Sequence, residues 1–340
     1  MKHFFIINPA AGQGRAVDLE EEIRIQSELR GLLMTSEDRH VNDPDDYDVV
    51  IYRTKGVGDA ERYVRYICRT KLGTDPDWTI NGFVQRTGDE KFRFYSCGGD
   101  GTLNEVVNGC QGYDGAEVAC IPFGTGDDYI KNYPDAGNFS SVSAQMDGEA
   151  VNSDLIRYTS EGKDPRYCIN MFNIGLDCNT ADLTQRMKKL PFVSGPMAYI
   201  LSLMFIFIRK KGTDLTIVCD GETVYDDKLL LVAIANGQYC GGGVRGIPQA
   251  DVNDGLLDVS IVKKAGRLEF LNLFKEYKKG EHLADEHARR LFIVKKSERV
   301  EVTPRKSPMK LCIDGEISKV GKTEFEIVPD GIRFSVPAAK

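Results

Sequence analysis

The sequence has no long hydrophobic run. Its most apolar stretch, "MAYILSLMFIFI" at residues 197–208, stops after 12 residues between Pro196 and Arg209-Lys210-Lys211. Crossing a bilayer takes about 20 apolar residues, so this stretch is not a transmembrane helix. It reads as a buried helix, or as a helix beside an apolar substrate channel or on a membrane surface. The N-terminal "MKHFFIINPAAGQG" is likewise too short in apolar residues for a signal peptide and reads as a first strand. Paired metal-type cysteine spacing is also missing. The nine cysteines are scattered, and Cys97, Cys110, Cys120 and Cys168 sit inside apolar runs. Buried reduced thiols of a cytosolic protein explain them better than a disulfide framework or a zinc site. Positive charge is in deficit, with a formal net charge of −7, which argues against general nucleic-acid binding. The one tryptophan, Trp78, falls in "TDPDWTINGFVQRTGDE" (74–90), which fits no periodic pattern and reads as an exposed loop or an added hairpin.

What is present is organised in two halves. At 340 residues the chain exceeds one ordinary core and suggests two domains. Residues 1–150 carry 15 basic and 26 acidic groups, and residues 151–340 carry 29 and 25. The second half is therefore the better candidate to meet an anionic surface. The first half alternates strand and helix signals: "HFFIINP", then helical "VDLEEEIRIQSELRGLL"; "YDVVIYRT", then "GDAERYVRYICRTK"; "FRFYSC", then "LNEVVNGC"; "AEVACIPFG", then "GDDYIKNY". Alternation of this kind predicts a mostly parallel sheet with helices on both faces, a three-layer α/β nucleotide-binding domain. Ligands bind such sheets at the carboxyl ends of the strands. Three Gly-containing loops, Asn8–Gly14, Gly98–Thr102 and Gly124–Asp128, follow strand ends and can converge on one crevice. The second half holds nine short β-like runs, from "VNSDLIRYT" to "FEIVP", separated by turns. They predict an antiparallel β-sandwich-like domain, with helical insertions near 180–211 and 267–282.

The stretch "SCGGDGTLNEV" (96–106) raises a chemical question. Glycines between a strand and a helix seat phosphates on backbone N–H groups. No Gly-Lys-Ser/Thr follows, so this is not a Walker A loop, and it is not GxGxxG. Asp100 stands among the glycines, where a bare carboxylate would repel phosphate. A divalent cation between them removes the conflict. A turn in which Asp100 merely caps the next helix explains the residues as well, and spacing alone leaves both readings open.

"GGDGTLNEVVNG", with "NPAAGQG" upstream and "IPFGTGDDYI" downstream, resembles the diacylglycerol kinase catalytic family, nearest to its soluble bacterial lipid kinases and related to sphingosine and ceramide kinases. "ANGQYCGGGVRGIPQADVNDGLLDVSIV" and "LCIDGE" extend the likeness over nearly the whole chain, with 74–90 looking like an insertion. The resemblance implies two domains, a nucleotide-binding domain at 1–150 completed by about 328–340 and a β-rich lipid-binding domain at 151–327. It implies that Asn8, Pro9, Ala10, Ala11 and Gly12, with Gly98, Gly99, Asp100, Gly101, Thr102, Leu103 and Asn104, hold the ATP phosphates. Thr54 and Thr125 match two further nucleotide-site threonines. Asp100, Asp128 and Asp154 would surround Mg²⁺ and its waters. Glu316 resembles the proton acceptor for the lipid hydroxyl, with Asp314 beside it; without the family, "DGE" is only a hairpin turn. Asp254, with the backbone carbonyls of Asp251 and Leu256, matches a structural Mg²⁺ loop. One departure stands out: Asp127 replaces the family's usual Asn, an acceptor-only acid in place of an amide.

The expected activity is thus ATP- and Mg²⁺-dependent phosphorylation of a diacylglycerol-like lipid that enters between the domains. The expected setting is the cytoplasm, with transient contact at the inner face of the membrane, no nucleic-acid partner, and a homodimer admitted because homo-oligomers are common. The alternatives are a kinase of another hydroxylated lipid (phosphatidylglycerol, a sphingoid base or a polyprenol), an NAD kinase-like enzyme, and a non-catalytic nucleotide-binding regulator.

Overall fold

The computed structural model describes residues 1–36, 47–73, 91–124, 126–175, 212–266, 269, 274, 276–306, 308–313 and 316–339. The chain divides into two compact units, Met1–Asp154 with Asp330–Lys340, and Leu155–Pro329.

The first unit runs β1 (Lys2–Ile7), α1 (Arg15–Leu29), β2 (Met34–Ser36), β3 (Val49–Arg53), α2 (Asp59–Lys71), β4 (Phe92–Gly98), α3 (Asp100–Cys110), β5 (Ala116–Pro122) and α4 (Val142–Met146). β1, β4 and β5 are buried almost throughout, as strands covered on both faces must be, with Arg93 of β4 paired to Glu117 of β5 between them. They form a parallel sheet in the order β2-β3-β1-β4-β5, and the end of β16 (Thr323–Val336) adds to β5 through Arg333 and Phe334. α2 buries Ala60, Val64, Ile67 and Cys68, a stripe at helical spacing. Asp59 and Glu61 open it and Arg69 and Lys71 close it, each suited to its end of the helix dipole. α2 packs on α3 closely enough that a Cβ on Gly109 would stand 2.7 Å from Val64.

Two details depart from the sequence pattern. β2 is a three-residue strand, too short to announce itself. "GDDYIKNY" yields one 3₁₀ turn, Tyr129–Asn132, in place of a helix. Its Tyr129 is fully buried against Phe334 and shares a hydrogen bond with Ser153, so tertiary packing sets this segment.

The second unit runs through part of β6 (Glu149–Ser160), then β7 (Arg166–Cys168), β8 (Met171–Gly175), β9 (Thr213–Cys219), β10 (Glu222–Ala235), β11 (Leu257–Lys263), α5 (Glu286–Arg289), β12 (Phe292–Ser297), β13 (Arg299–Pro304), β14 (Met309–Ile313), β15 (Glu316–Val320) and the first part of β16. Its strand pairs are antiparallel. Over their described residues, each of the nine β-like runs of the second half coincides with at least one strand. β10 serves three neighbours: Glu222–Leu229 pairs with β9 across a register shift at Thr223/Tyr225, and the remainder pairs with β8 in unbroken register and with β11 across a shift at Leu229/Leu231. Alternation along β8 sends Phe172 and Ile174 into one core with Ile217, Val232 and Phe325, and Met171 into another with Ala233, Val244 and Tyr277. The architecture is α/β followed by an antiparallel, sandwich-like β domain. The apolar run at 197–208 lies outside the described residues, and the insertion expected at 267–282 is described only in part. Among the described residues no helix is long and apolar enough to cross a membrane. The eight cysteines among them are all buried and outside any disulfide.

Candidate nucleotide site

Strand order in the first unit places β1 beside β4, and the chain leaves their carboxyl ends in opposite directions, toward β2-β3 and toward β5. Such a reversal opens a crevice above the sheet. The Gly loops occupy it. Asn8 donates its backbone N–H to Cys97 at the end of β4 (2.9 Å), and its side-chain oxygen accepts from the Ala10 amide (3.0 Å). Asn8 Nδ2 donates to Thr102 Oγ1 (3.2 Å), tying the first loop to the first turn of α3. Thr54, after β3, joins the group by donating its amide to the carbonyl of Ile7 (2.9 Å).

The second and third loops lie back to back. Phe123 donates its amide to Gly98 (2.8 Å), and a Cβ on Gly124 would stand 2.7 Å from the Gly99 Cα. Backbone must come this close only where neither residue carries a side chain. α3 begins at Asp100 with Gly99 as its cap residue, which offers no side chain to the first-turn amides. That first turn is the positive end of the helix.

Asp100 has a definite job in this arrangement. Its Oδ1 accepts the backbone N–H of Asp128 (2.8 Å), so it fixes the third loop against α3. Its Oδ2 and Asp128 Oδ2 both front Gly126, where a Cβ would lie 2.6 and 3.3 Å from them. Lys131 Nζ bridges Asp128 Oδ1 (2.7 Å) and the Gly126 carbonyl (2.5 Å). Asp127 sits at φ +46°, a left-handed conformation that Asp and Asn tolerate best among non-glycine residues. Its Oδ1 accepts from the Gly124 amide (3.0 Å), and burial raises its pKa above the usual carboxylate value.

Asp154 is buried on β6, where its Oδ1 accepts the amide of Asp330 (2.9 Å). The neighbouring Ser153 joins β6 to the Asp128 turn through Tyr129 (2.5 Å). Among the described residues no group of three or more His, Cys, Asp or Glu side chains is placed to hold a metal ion directly. The fit to a metal-bound phosphate is therefore indirect. It consists of glycines that keep the crevice free of side chains, a helix N-terminus, and two converging carboxylates, one of them bonded to a lysine.

The other sequence-predicted residues divide. Pro9 and Ala10 are exposed, and Ala11 and Gly12 half-buried, on the first loop. Leu103 is buried in the fold, so only its backbone faces the first turn of α3; Asn104 bonds Asn108 one turn on. Thr125 and Asp314 lie outside the described residues. Glu316 opens β15 and its backbone pairs with Ile313. Asp251, Asp254 and Leu256 lie on the turn before β11, where Asp254 Oδ1 accepts from the Leu256 amide (3.1 Å) and Lys296 reaches Asp254 Oδ2 (2.5 Å). Sequence reasoning missed Glu105. From α3 it accepts the amides of Gly58 (2.7 Å) and Ala60 (3.1 Å), capping α2 across the helix interface. No local pattern marks a cap supplied from 45 residues away. It also missed Lys131 and Lys296.

The second unit contains a cavity of about 210 Å³ whose lining includes the apolar Tyr158, Ile313, Ile317 and Val320 and the charged Lys163, Asp164 and Arg166. Ile313 and Ile317 bracket the turn that carries Glu316 in sequence.

Comparison with known proteins agrees with this architecture. Residues 2–158 match the diacylglycerol kinase catalytic domain, and residues 170–336 match the YegS C-terminal NAD kinase beta sandwich-like domain. A diacylglycerol kinase of Bacillus subtilis (strain 168) is 29% identical over 72% of this chain and 78% of its own length. A protein named probable lipid kinase YegS-like, from Alcanivorax borkumensis, is 27% identical over 82% of this chain and 84% of its own. The crystal structure of a diacylglycerol kinase from Bacillus anthracis str. Sterne superposes with a TM-score of 0.63 at 20% identity, covering 98% of this chain and 96% of that one, a likeness of fold.

Proposed function

Because the chain belongs to the diacylglycerol kinase catalytic family and is a lipid kinase, we propose that it transfers the γ-phosphoryl group of ATP, with Mg²⁺, to the hydroxyl of a diacylglycerol-like lipid. The observation that carries the nucleotide half is the contact of Gly99 with Gly124, beside the Asp100–Asp128 hydrogen bond. Those glycines leave room for phosphates where any Cβ would intrude. The first-turn amides of α3, at Gly101 and Thr102, and the amide of Gly12 would be the donors in this reading, because the amides of Asn8, Ala10, Ala11 and Leu103 are spent within the loops. Mg²⁺, bound with the nucleotide, supplies charge neutralisation on the transferring group. Asp100, Asp128 and Asp154 would hold it through water in this reading, and Lys131, bonded to Asp128, would limit the negative charge they present.

The lipid hydroxyl must lose a proton as it attacks. Glu316 is the acceptor in this reading, with Asp314 next to it. The largely apolar lining of the cavity in the second unit, to which Ile313 and Ile317 contribute, supports a lipid acceptor over a nucleotide one. Action at the inner face of the membrane, as a peripheral and transiently bound enzyme, belongs to the same reading.

The test supplies γ-labelled ATP and Mg²⁺ with total lipid extract in one reaction and with NAD in another, then identifies the labelled product. Label in a phosphatidic acid-like lipid is expected. Label in a different lipid moves the assignment to another hydroxylated acceptor, label in NAD moves it to an NAD kinase-like enzyme, and ATP binding without transfer makes the chain a regulator.

A further inference from the structure

The turn Asp251–Leu256 resembles a structural Mg²⁺ loop, yet its carboxylate already holds a cation. Lys296 Nζ lies 2.5 Å from Asp254 Oδ2 and 2.9 Å from Asp258 Oδ2. Strand register delivers this ammonium: Lys296 on β12 is directly opposite Asp258 on β11. Asp258 is fully buried, and a buried carboxylate needs an opposite charge or it destabilises the fold. Lys296 is therefore held at Asp258 whatever happens at Asp254. The other oxygen of Asp254 is also engaged, by the Leu256 amide at 3.1 Å, and Asp251 Oδ1 accepts from the Asn253 amide at 3.1 Å. Mg²⁺ demands near-octahedral oxygen ligation at about 2.0–2.1 Å. A divalent ion on Asp254 would have to displace an ammonium from that oxygen and then remain beside it, with like charges only a few ångströms apart.

We infer that Lys296 takes the place of the divalent ion at this turn, so that the loop before β11 is held by an internal Asp254–Lys296–Asp258 bridge and binds no structural Mg²⁺. The order of the second unit is then independent of free Mg²⁺, and the metal requirement of the enzyme arises at the nucleotide site alone.

Melting of the full nucleotide-free chain, in EDTA and in millimolar Mg²⁺ at matched ionic strength, tests this. The wild type is expected to melt within about 1 °C in the two conditions, and Lys296→Met about 3–10 °C lower in EDTA, the cost of an unpaired buried acid discounted for partial exposure. Lys296→Arg, which keeps the charge, should recover most of that loss and separates lost charge from lost packing. The inference is overturned if Mg²⁺ raises the wild-type melting temperature by several degrees and Asp254→Asn removes the rise. It is equally overturned if Lys296→Met melts with the wild type.

Discussion

Two acid-rich turns of this chain each hold a lysine and use it differently. In the turn after β5, Lys131 comes from the same turn, three residues beyond Asp128, and bonds that one carboxylate and a carbonyl. Asp100 and Asp127 stand close by and spend one oxygen each on a backbone amide. Three carboxylates thus gather beside a glycine crevice, a condition suited to a cation that arrives with a ligand. In the turn before β11, Lys296 comes from the adjacent strand and binds two carboxylates, one of them fully buried. The cation there is committed to an acid buried in the fold. The lesson is that an Asp-rich loop cannot be sorted into ligand-binding or structural from its acids alone. The reach and origin of the nearest lysine decide.

Removing the acid at the centre of the first turn is the strongest way to break the comparison. Asp100→Ala is expected to abolish lipid phosphorylation, a loss of at least about 10³-fold, because charge stabilisation is the main catalytic contribution in phosphoryl transfer. Melting should show the fold intact. Near-wild-type turnover at saturating Mg²⁺ would remove Asp100 from the proposed site and make the two turns alike.

Next in size is Glu316→Gln, which keeps shape but cannot accept a proton as a carboxylate does. kcat should fall by about 10²–10⁴-fold. Affinity for a non-hydrolysable ATP analogue, measured by calorimetry, should stay nearly constant. If affinity collapses with rate, Glu316 belongs with the structural acids; if the rate holds, Asp314 is the first alternative base.

Gly124→Ala probes the crevice without adding or removing a charged group. Its Cβ would stand 2.7 Å from Gly99 Cα and 2.5 Å from Asp127 Oδ1, and two backbones must part to admit it. Misplacement of about 1 Å in a catalytic frame costs up to about 10²-fold, so kcat/KM for ATP should fall toward that extent. Steady-state kinetics showing no change would mean that the loops need not touch.

The smallest effect sharpens the charge argument. Asp127→Asn can keep the φ of +46° and the bond from Gly124, and it loses only charge. KM for ATP should drop a few-fold, most clearly at low Mg²⁺ and low salt, where screening is weakest. Burial raises the Asp127 pKa, so protonation on acidification removes this charge at a higher pH than for an ordinary Asp. The wild-type KM should therefore approach that of the variant as pH falls. A gap that persists unchanged to acid pH contradicts the assignment.

Much of the fold could be read from the residues because the cues are local. Continuous apolar runs mark β1, β4 and β5, alternation marks the strands of the second unit, and glycines after strand ends mark the loops of the crevice. β2 was missed because three residues carry no period, and Tyr129–Asn132 was misread because buried aromatic contacts override its helical spacing.

By itself the sequence determined the class of this protein. Hydrophobic period sets strand against helix, and the spacing of "NPAAGQG", "GGDGT" and "LCIDGE" carries the resemblance to lipid kinases. Tertiary structure alone decided which charges answer which. Glu105 caps a helix 45 residues away, Asp100 holds the amide of Asp128 28 residues on, and Lys296 reaches back 42 residues to Asp254. Coulomb and hydrogen-bond energies depend on distance in space, and only packed strands and helices bring groups so far apart in the chain within hydrogen-bonding distance of one another.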